Sequence, residues 1–68
     1  MEIFAKRLKE LRLERNLSLR DIAEVLGIHH TSYENYEKDK SEPTQEMLNK
    51  IADFFGVTTD YLLGRVPI

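Results

Sequence analysis

The sequence predicts an all-α fold, a compact bundle of five short helices in one domain spanning residues 1–68, and three observations support it. Apolar residues recur at spacings of three and four along most of the chain, the period of one helix face. Several apolar segments follow a residue that can cap a helix N-terminus, and most end near glycine or asparagine. Sixty-eight residues provide one hydrophobic core and no second lobe.

The first helix is predicted over Glu2 to Arg15. Phe4, Leu8 and Leu11 lie at i, i+4 and i+7, so they form an apolar stripe on one side of it. Basic residues flank this stripe. Asn16 tolerates a left-handed backbone and is expected to end the helix.

The second and third helices are predicted within residues 19–38, the segment around which the chain is organised. Ile22, Ala23 and Leu26 share one helical face, and Gly27 can leave the helix in a left-handed conformation without steric cost. The third helix is expected to open with His29 at the N-cap. Two short helices joined by a tight turn form a helix-turn-helix unit.

The fourth and fifth helices are predicted from caps and glycines. Thr44 is expected to cap a helix from Gln45 to Phe55, whose apolar stripe belongs to the core. Thr58 is expected to cap a short helix from Thr59 to Leu63, and Gly64 to end it.

Composition limits the class of protein. The chain has no cysteine, which excludes disulfides and cysteine metal sites and fits a reducing compartment. No apolar run approaches the ~18 residues of a membrane span, so we expect a cytoplasmic protein without membrane contact. Residues 21–37 contain four acids and no Lys or Arg, whereas residues 1–20 contain six Lys or Arg and three acids. Any polyanion would therefore be held mainly by cations outside the central segment.

The central motif resembles the phage-repressor helix-turn-helix family, which is lambda repressor- and Cro-like, or XRE-type. The resemblance extends from about Phe4 to Leu63, and its motifs are Leu17-Ser18, Asp21-Ile22-Ala23, Leu26-Gly27-Ile28, Tyr36-Glu37 and Pro43. It implies a lambda repressor-like DNA-binding domain and a sequence-specific transcriptional regulator. The expected action is repression, through a homodimer on a palindromic operator in double-stranded DNA.

The resemblance places the DNA base contacts on the third helix. The residues at these positions are His30, Thr31, Glu34 and Asn35. Asparagine can pair with adenine through two hydrogen bonds, histidine can donate to guanine, and a threonine methyl can contact a thymine methyl. The alternative interpretation of this polar face is an ordinary solvated surface.

Phosphate contacts are expected around that helix. The candidates are Arg7, Arg20, Ser32, Lys38 and Lys40. The family usually has a phosphate-contacting glutamine at the first position of the second helix, where this chain has Leu19, and we expect the neighbouring Arg20 to make that contact instead. For Lys38 and Lys40 the alternative is a solvated loop. The resemblance also implies a structural ion pair between Arg12 and Glu37.

The C-terminal segment 59–68 is expected to mediate dimerisation, because its last eight residues carry more hydrophobic side chains than a finished surface needs. We expect some to close the core and the rest to form a dimer seam, as family members pair through this end. The seam candidates are Tyr61, Leu62, Leu63, Val66 and Ile68.

Other functions are weighed against this prediction. The same scaffold can serve as a protein-interaction module, such as an antitoxin or antirepressor, and Glu34, Leu19 and the acidic middle favour that alternative. No nucleophile–base pair or phosphate-binding glycine loop is present, so we expect no catalytic residue, no enzyme and no cofactor. His29 and His30 should diverge by about 100° on a helix, so no metal site is expected.

Overall fold

The computed structural model describes residues 1–67 and confirms the all-α prediction, because these residues form five helices and no strand. The helices are α1 (Glu2–Glu14), α2 (Leu19–Leu26), α3 (His30–Glu37), α4 (Gln45–Phe55) and α5 (Thr59–Leu62). None of these helices is long and apolar enough to cross a lipid bilayer.

Two helices end one residue earlier than predicted. α1 ends at Glu14, because Arg15 already has a non-helical turn conformation and Asn16 takes the expected left-handed conformation at φ 57°. α5 ends at Leu62 instead of Leu63. Gly64, at φ 77°, turns the chain, and its N–H donates to the Tyr61 carbonyl at 3.1 Å.

Side chains cap the starts of α2, α4 and α5, and the caps at Thr44 and Thr58 are the predicted ones. Ser18 Oγ accepts from the Asp21 N–H at 3.0 Å while the Asp21 carboxylate accepts from the Ser18 N–H at 3.0 Å, which completes a capping box. Thr44 and Thr58 each accept from the N–H three residues later. These caps fix where each helix begins and therefore which face each one turns to the core.

The core draws on every helix. Its fully buried side chains include Phe4 and Leu8 of α1, Ile22 and Leu26 of α2, Tyr33 of α3, Ile51 of α4 and Leu62 of α5. Ala23 and Ala52 are also buried, and their small side chains allow the helices to approach closely. α3 contributes only Tyr33 to the fully buried set, and its Thr31 and Ser32 are exposed.

Candidate nucleic-acid interface

The inner side of α3 is anchored by two aromatic rings. Tyr33 is fully buried, and Tyr36 packs edge-on against both the Tyr33 ring at 6.4 Å and the Phe4 ring of α1 at 6.5 Å between centroids. Such edge-to-face pairs add to the energy gained from burial alone. The position of α3 on α1 is thereby fixed, and so is the direction of its opposite side.

A buried ion pair joins α1 to the last turn of α3. Arg12 Nε donates to Glu37 Oε2 at 2.7 Å and Arg12 Nη2 donates to Glu37 Oε1 at 3.1 Å, the two-pronged geometry that arginine favours with carboxylates. The side chains are only 11% and 6% exposed. Hydrogen bonding to Glu37 raises the pKa of the Arg12 guanidinium. A third bond from Arg12 Nη1 to the Leu17 carbonyl, 2.9 Å long, extends the junction to the start of α2.

The turn between α2 and α3 is closed by backbone and side-chain bonds. Gly27 takes the left-handed conformation at φ 73°, and the N–H of Ile28 donates back to the Ala23 carbonyl at 3.0 Å. Lys50 of α4 donates to the Leu26 carbonyl at 2.9 Å, where a cation also suits the negative end of the α2 dipole. The angle between the two helices therefore does not depend on the turn alone.

His29 caps α3, as the sequence predicts. Its Nδ1 accepts from the Thr31 N–H at 3.2 Å, which requires a neutral ring without a proton on that nitrogen. The expected divergence of His29 and His30 is wrong: the two rings stack with centroids 4.4 Å apart and planes 29° apart. The reason is that His29 lies outside the helix with an extended backbone, so the helical step does not apply to it. Residues 1–67 contain no group of three or more potential metal ligands.

The outer side of α3 carries small polar groups. Thr31 and Ser32 are exposed, and His30 and Asn35 are half-buried. Within residues 1–67 the side chains of Thr31, Ser32 and Asn35 make no hydrogen bond, so their donors and acceptors are available to a ligand. Glu34 differs, because its Oε2 lies 3.2 Å from Lys38 Nζ.

The candidate phosphate-binding cations differ in what their side chains contact. Arg20 and Lys40 are exposed and form no ion pair with any residue in the described range, whereas Lys38 is paired with Glu34. Arg7 is directed elsewhere. Its guanidinium donates to the carbonyls of Tyr61, Val66 and Pro67 and lies 4.2 Å from the centre of the Tyr61 ring. Arg7 therefore holds the C-terminal segment, and its guanidinium is not available to a DNA phosphate.

A small cleft lies beside the start of α2, where the chain departs from the family pattern. Leu19, where the family usually has glutamine, is half-buried and packs against the core. Lys9 of α1, which is not among the predicted phosphate contacts, lines this cleft together with Leu19. Its position on the polar side of α1 was readable from the sequence, but its proximity to α2 and α3 follows only from the tertiary packing.

The hydrophobic residues predicted to form the dimer seam differ in how deeply they are buried. Leu62 is fully buried within the chain, so it cannot belong to a dimer seam. Tyr61 is half-buried under Arg7, and Leu63 and Val66 are half-buried. Ile68, the remaining seam candidate, lies outside the described residues.

Most of the chain matches a known protein family. A protein family described as Helix-turn-helix matches residues 8–62 of the chain. This range begins within α1 and ends at the last residue of α5, so it contains the whole of α2 and α3 and the Arg12–Glu37 pair.

Similar proteins are described as transcription regulators. Two come from Bacillus subtilis: the HTH-type transcriptional regulator AnsR, 46% identical over 59 residues, and ImmR, 40% identical over 60 residues. The cryptic phage CTXphi transcriptional repressor RstR of Vibrio cholerae is 34% identical over 55 residues. These matches cover 87%, 88% and 81% of this chain but 51%, 47% and 50% of the relatives. The chain thus spans about half the length of the relatives it matches.

Proposed function

Because the chain belongs to the helix-turn-helix family, we propose that it is a sequence-specific DNA-binding transcriptional regulator that places α3 in the major groove of double-stranded DNA. One observation carries this proposal. α3 is held on its inner side by Tyr33 and by the Arg12–Glu37 pair, while Thr31, Ser32 and Asn35 on its outer side have no hydrogen-bond partner within residues 1–67. A rigid helix with unsatisfied polar groups facing outward suits base recognition.

Base contacts are proposed for His30, Thr31 and Asn35. Asn35 can contact the N6 and N7 atoms of adenine together, and Thr31 can place its methyl group against that of thymine. His30 stands at the first position of α3, where it can donate to guanine N7 or O6. The relatives named as transcription regulators support assigning this recognition to control of transcription, and repression by occupancy of an operator is the proposed mode.

Phosphate contacts are proposed for Arg20, Ser32, Lys38 and Lys40. Three of these are cations, so the logarithm of the binding constant should fall with the logarithm of salt concentration with a slope of about −3 per protomer. This electrostatic contribution compensates for the acidic residues of α2 and α3.

Selection from a random-sequence duplex library tests the proposal most directly. We expect enrichment of one short sequence, repeated in inverted order with centres about 34 Å apart if two copies bind side by side. A mobility-shift titration of the enriched duplex at several salt concentrations then measures affinity and slope. Failure to bind any duplex even at low salt would overturn the proposed function.

A homodimer is proposed through Tyr61, Leu63 and Val66, with Ile68 as a candidate outside the described residues. The apolar groups of Leu63 and Val66 are partly exposed, and burying them against a second copy would remove that surface from water. Leu63→Glu and Val66→Glu should each give a folded monomer with weaker operator affinity, measured by analytical ultracentrifugation and mobility shift. Leu13→Glu, at a leucine of α1 that is 52% exposed, is the control. Persistence of the dimer in both seam variants at micromolar concentration would exclude this seam.

A protein-interaction module, such as an antitoxin or antirepressor, is the second candidate. It is favoured by the absence of Lys and Arg from residues 21–37 and by the internal use of several cations, among them Arg15, which donates to the carbonyls of Phe54 and Phe55. Binding of random-sequence duplex at low salt would count against this candidate, and complete absence of DNA binding would favour it.

A further inference from the structure

Glu34 does not share the surroundings of the other candidate base contacts. Thr31 and Asn35 are four residues apart and therefore lie on the same side of α3. Glu34 lies between Thr31 and Glu37 around the helix, about 60° from each and about 100° from Asn35. Its carboxylate is engaged by Lys38 one turn further on, at 3.2 Å, whereas Thr31 and Asn35 have no side-chain partner among residues 1–67.

Glu34 and Lys38 lie in a cleft of about 170 Å³ between α1, the start of α2 and the end of α3. The cleft is lined by Lys9, Arg12, Leu19, Glu34, Glu37 and Lys38. Both carboxylate oxygens of Glu37 accept hydrogen bonds from Arg12, which is itself buried. Glu34 is therefore the cleft carboxylate that remains available to balance the two lysines.

We propose that Glu34 is the internal counter-ion of Lys38 and that a DNA phosphate takes its place when α3 enters the groove. This inference rests on the proposed function, because it concerns the same DNA interface. It changes the role of Glu34 from a base contact to a residue that sets overall affinity: in the free protein it neutralises a cation that the complex needs.

The exchange is energetically feasible because the pair is partly hydrated. The side chains of Lys38 and Glu34 are 53% and 34% exposed, and an i,i+4 ion pair at a helix surface contributes little to stability. Lys38 can therefore turn to a phosphate at small cost. Glu34 nevertheless competes with the phosphate for Lys38 whatever base sequence is bound, so the cost of breaking the ion pair is subtracted from the affinity of every complex. Glu34 thus lowers affinity for all duplexes alike.

The test compares Glu34→Gln, Lys38→Gln and the double variant. The dissociation constant is measured for the selected operator and for a random duplex at fixed low salt. We expect Glu34→Gln to bind both duplexes about two- to fivefold more tightly, with the ratio of the two affinities unchanged. In the Lys38→Gln background the same change should alter affinity by less than about twofold. Asp53→Asn, an equal change of charge on exposed α4 surface, is the control and should change affinity by less than about twofold.

Three results would overturn the inference while leaving the proposed function intact. The first is weaker binding of the operator by Glu34→Gln with binding of random duplex unchanged, which would make Glu34 a base contact. The second is an affinity of Glu34→Gln equal to that of the unaltered protein. The third is an equal gain in affinity with and without Lys38, which would mean that Glu34 repels DNA without competing for Lys38. If the unaltered protein binds no duplex at any salt concentration, the proposed function fails and the counter-ion role fails with it. Circular dichroism of each variant confirms that the helices are retained before affinities are compared.

Discussion

The two sides of α3 differ in what their side chains contact. The inner side carries large groups with defined neighbours: Tyr33 in the core, Tyr36 against Phe4, and Glu37 bonded to Arg12. The outer side carries short polar groups, Thr31 and Ser32 among them, that have no hydrogen-bond partner within residues 1–67. The proposed function therefore assigns stability and recognition to opposite sides of one eight-residue helix. Substitutions on one side should change one property and leave the other nearly unaffected.

The largest effect is expected from Glu37→Ala on the inner side. The substitution leaves the Arg12 guanidinium buried without its carboxylate partner, which typically costs about 3–5 kcal/mol. Urea denaturation followed by circular dichroism should show that loss in the free energy of unfolding. Glu10→Ala, at an exposed position of α1, should change it by less than about 0.5 kcal/mol. Equal unfolding free energies for both variants would contradict the anchoring role of the pair.

Asn35→Ala on the outer side should have a smaller effect, and it should change operator binding instead of stability. Operator binding should weaken by about 1–3 kcal/mol, and selection should lose preference at one base position. The free energy of unfolding should stay within about 0.5 kcal/mol, because the Asn35 side chain bonds to no residue in the described range. Asn49→Ala on exposed α4 provides a matched amide control. A large loss of stability in Asn35→Ala would show that the two sides of α3 are not separate.

The two ends of α2 are largely predictable from sequence, for local reasons. The capping box of Ser18 and Asp21 and the left-handed Gly27 depend on residues within a few positions of each other. The Arg12–Glu37 pair spans 25 residues and came from resemblance to a family, since nothing local in the sequence brings the two together.

Contacts across the fold were harder to anticipate. Arg7 bonds to carbonyls 54 to 60 positions away, so no pattern near Arg7 indicates that it is unavailable to phosphate. The stacking of His29 on His30 depends on a backbone outside the helix. Glu34 and Lys38 had a readable signal in their i,i+4 spacing, but the cleft that surrounds them requires α1 and α2 in place.

The Tyr33 hydroxyl is the exception on the inner side, because it is buried and has no hydrogen-bond partner in the described structure. Burial, with a smaller contribution from Glu37, raises the pKa of Tyr33, so the phenol stays neutral. Tyr33→Phe should therefore raise the free energy of unfolding by about 1 kcal/mol and leave operator affinity unchanged. A loss of stability instead would mean that the hydroxyl has a hydrogen-bond partner in solution.

The smallest effect is expected at the α2 cap, where an exposed polar contact contributes to stability as the buried ones do. Hydrogen bonds from the backbone and side chain of Ser18 lower the pKa of the Asp21 carboxyl below its usual value. Because the pKa is lower in the folded state, this contribution is present above about pH 4 and is lost as the pH falls through the folded-state pKa. Urea denaturation between pH 6 and pH 3 should therefore show a shallower decline in unfolding free energy for Asp21→Asn than for the unaltered protein. Asp53 forms no ion pair within residues 1–67, so the control Asp53→Asn should retain the steeper decline in unfolding free energy. Identical slopes in all three proteins would show that the cap adds nothing measurable to stability.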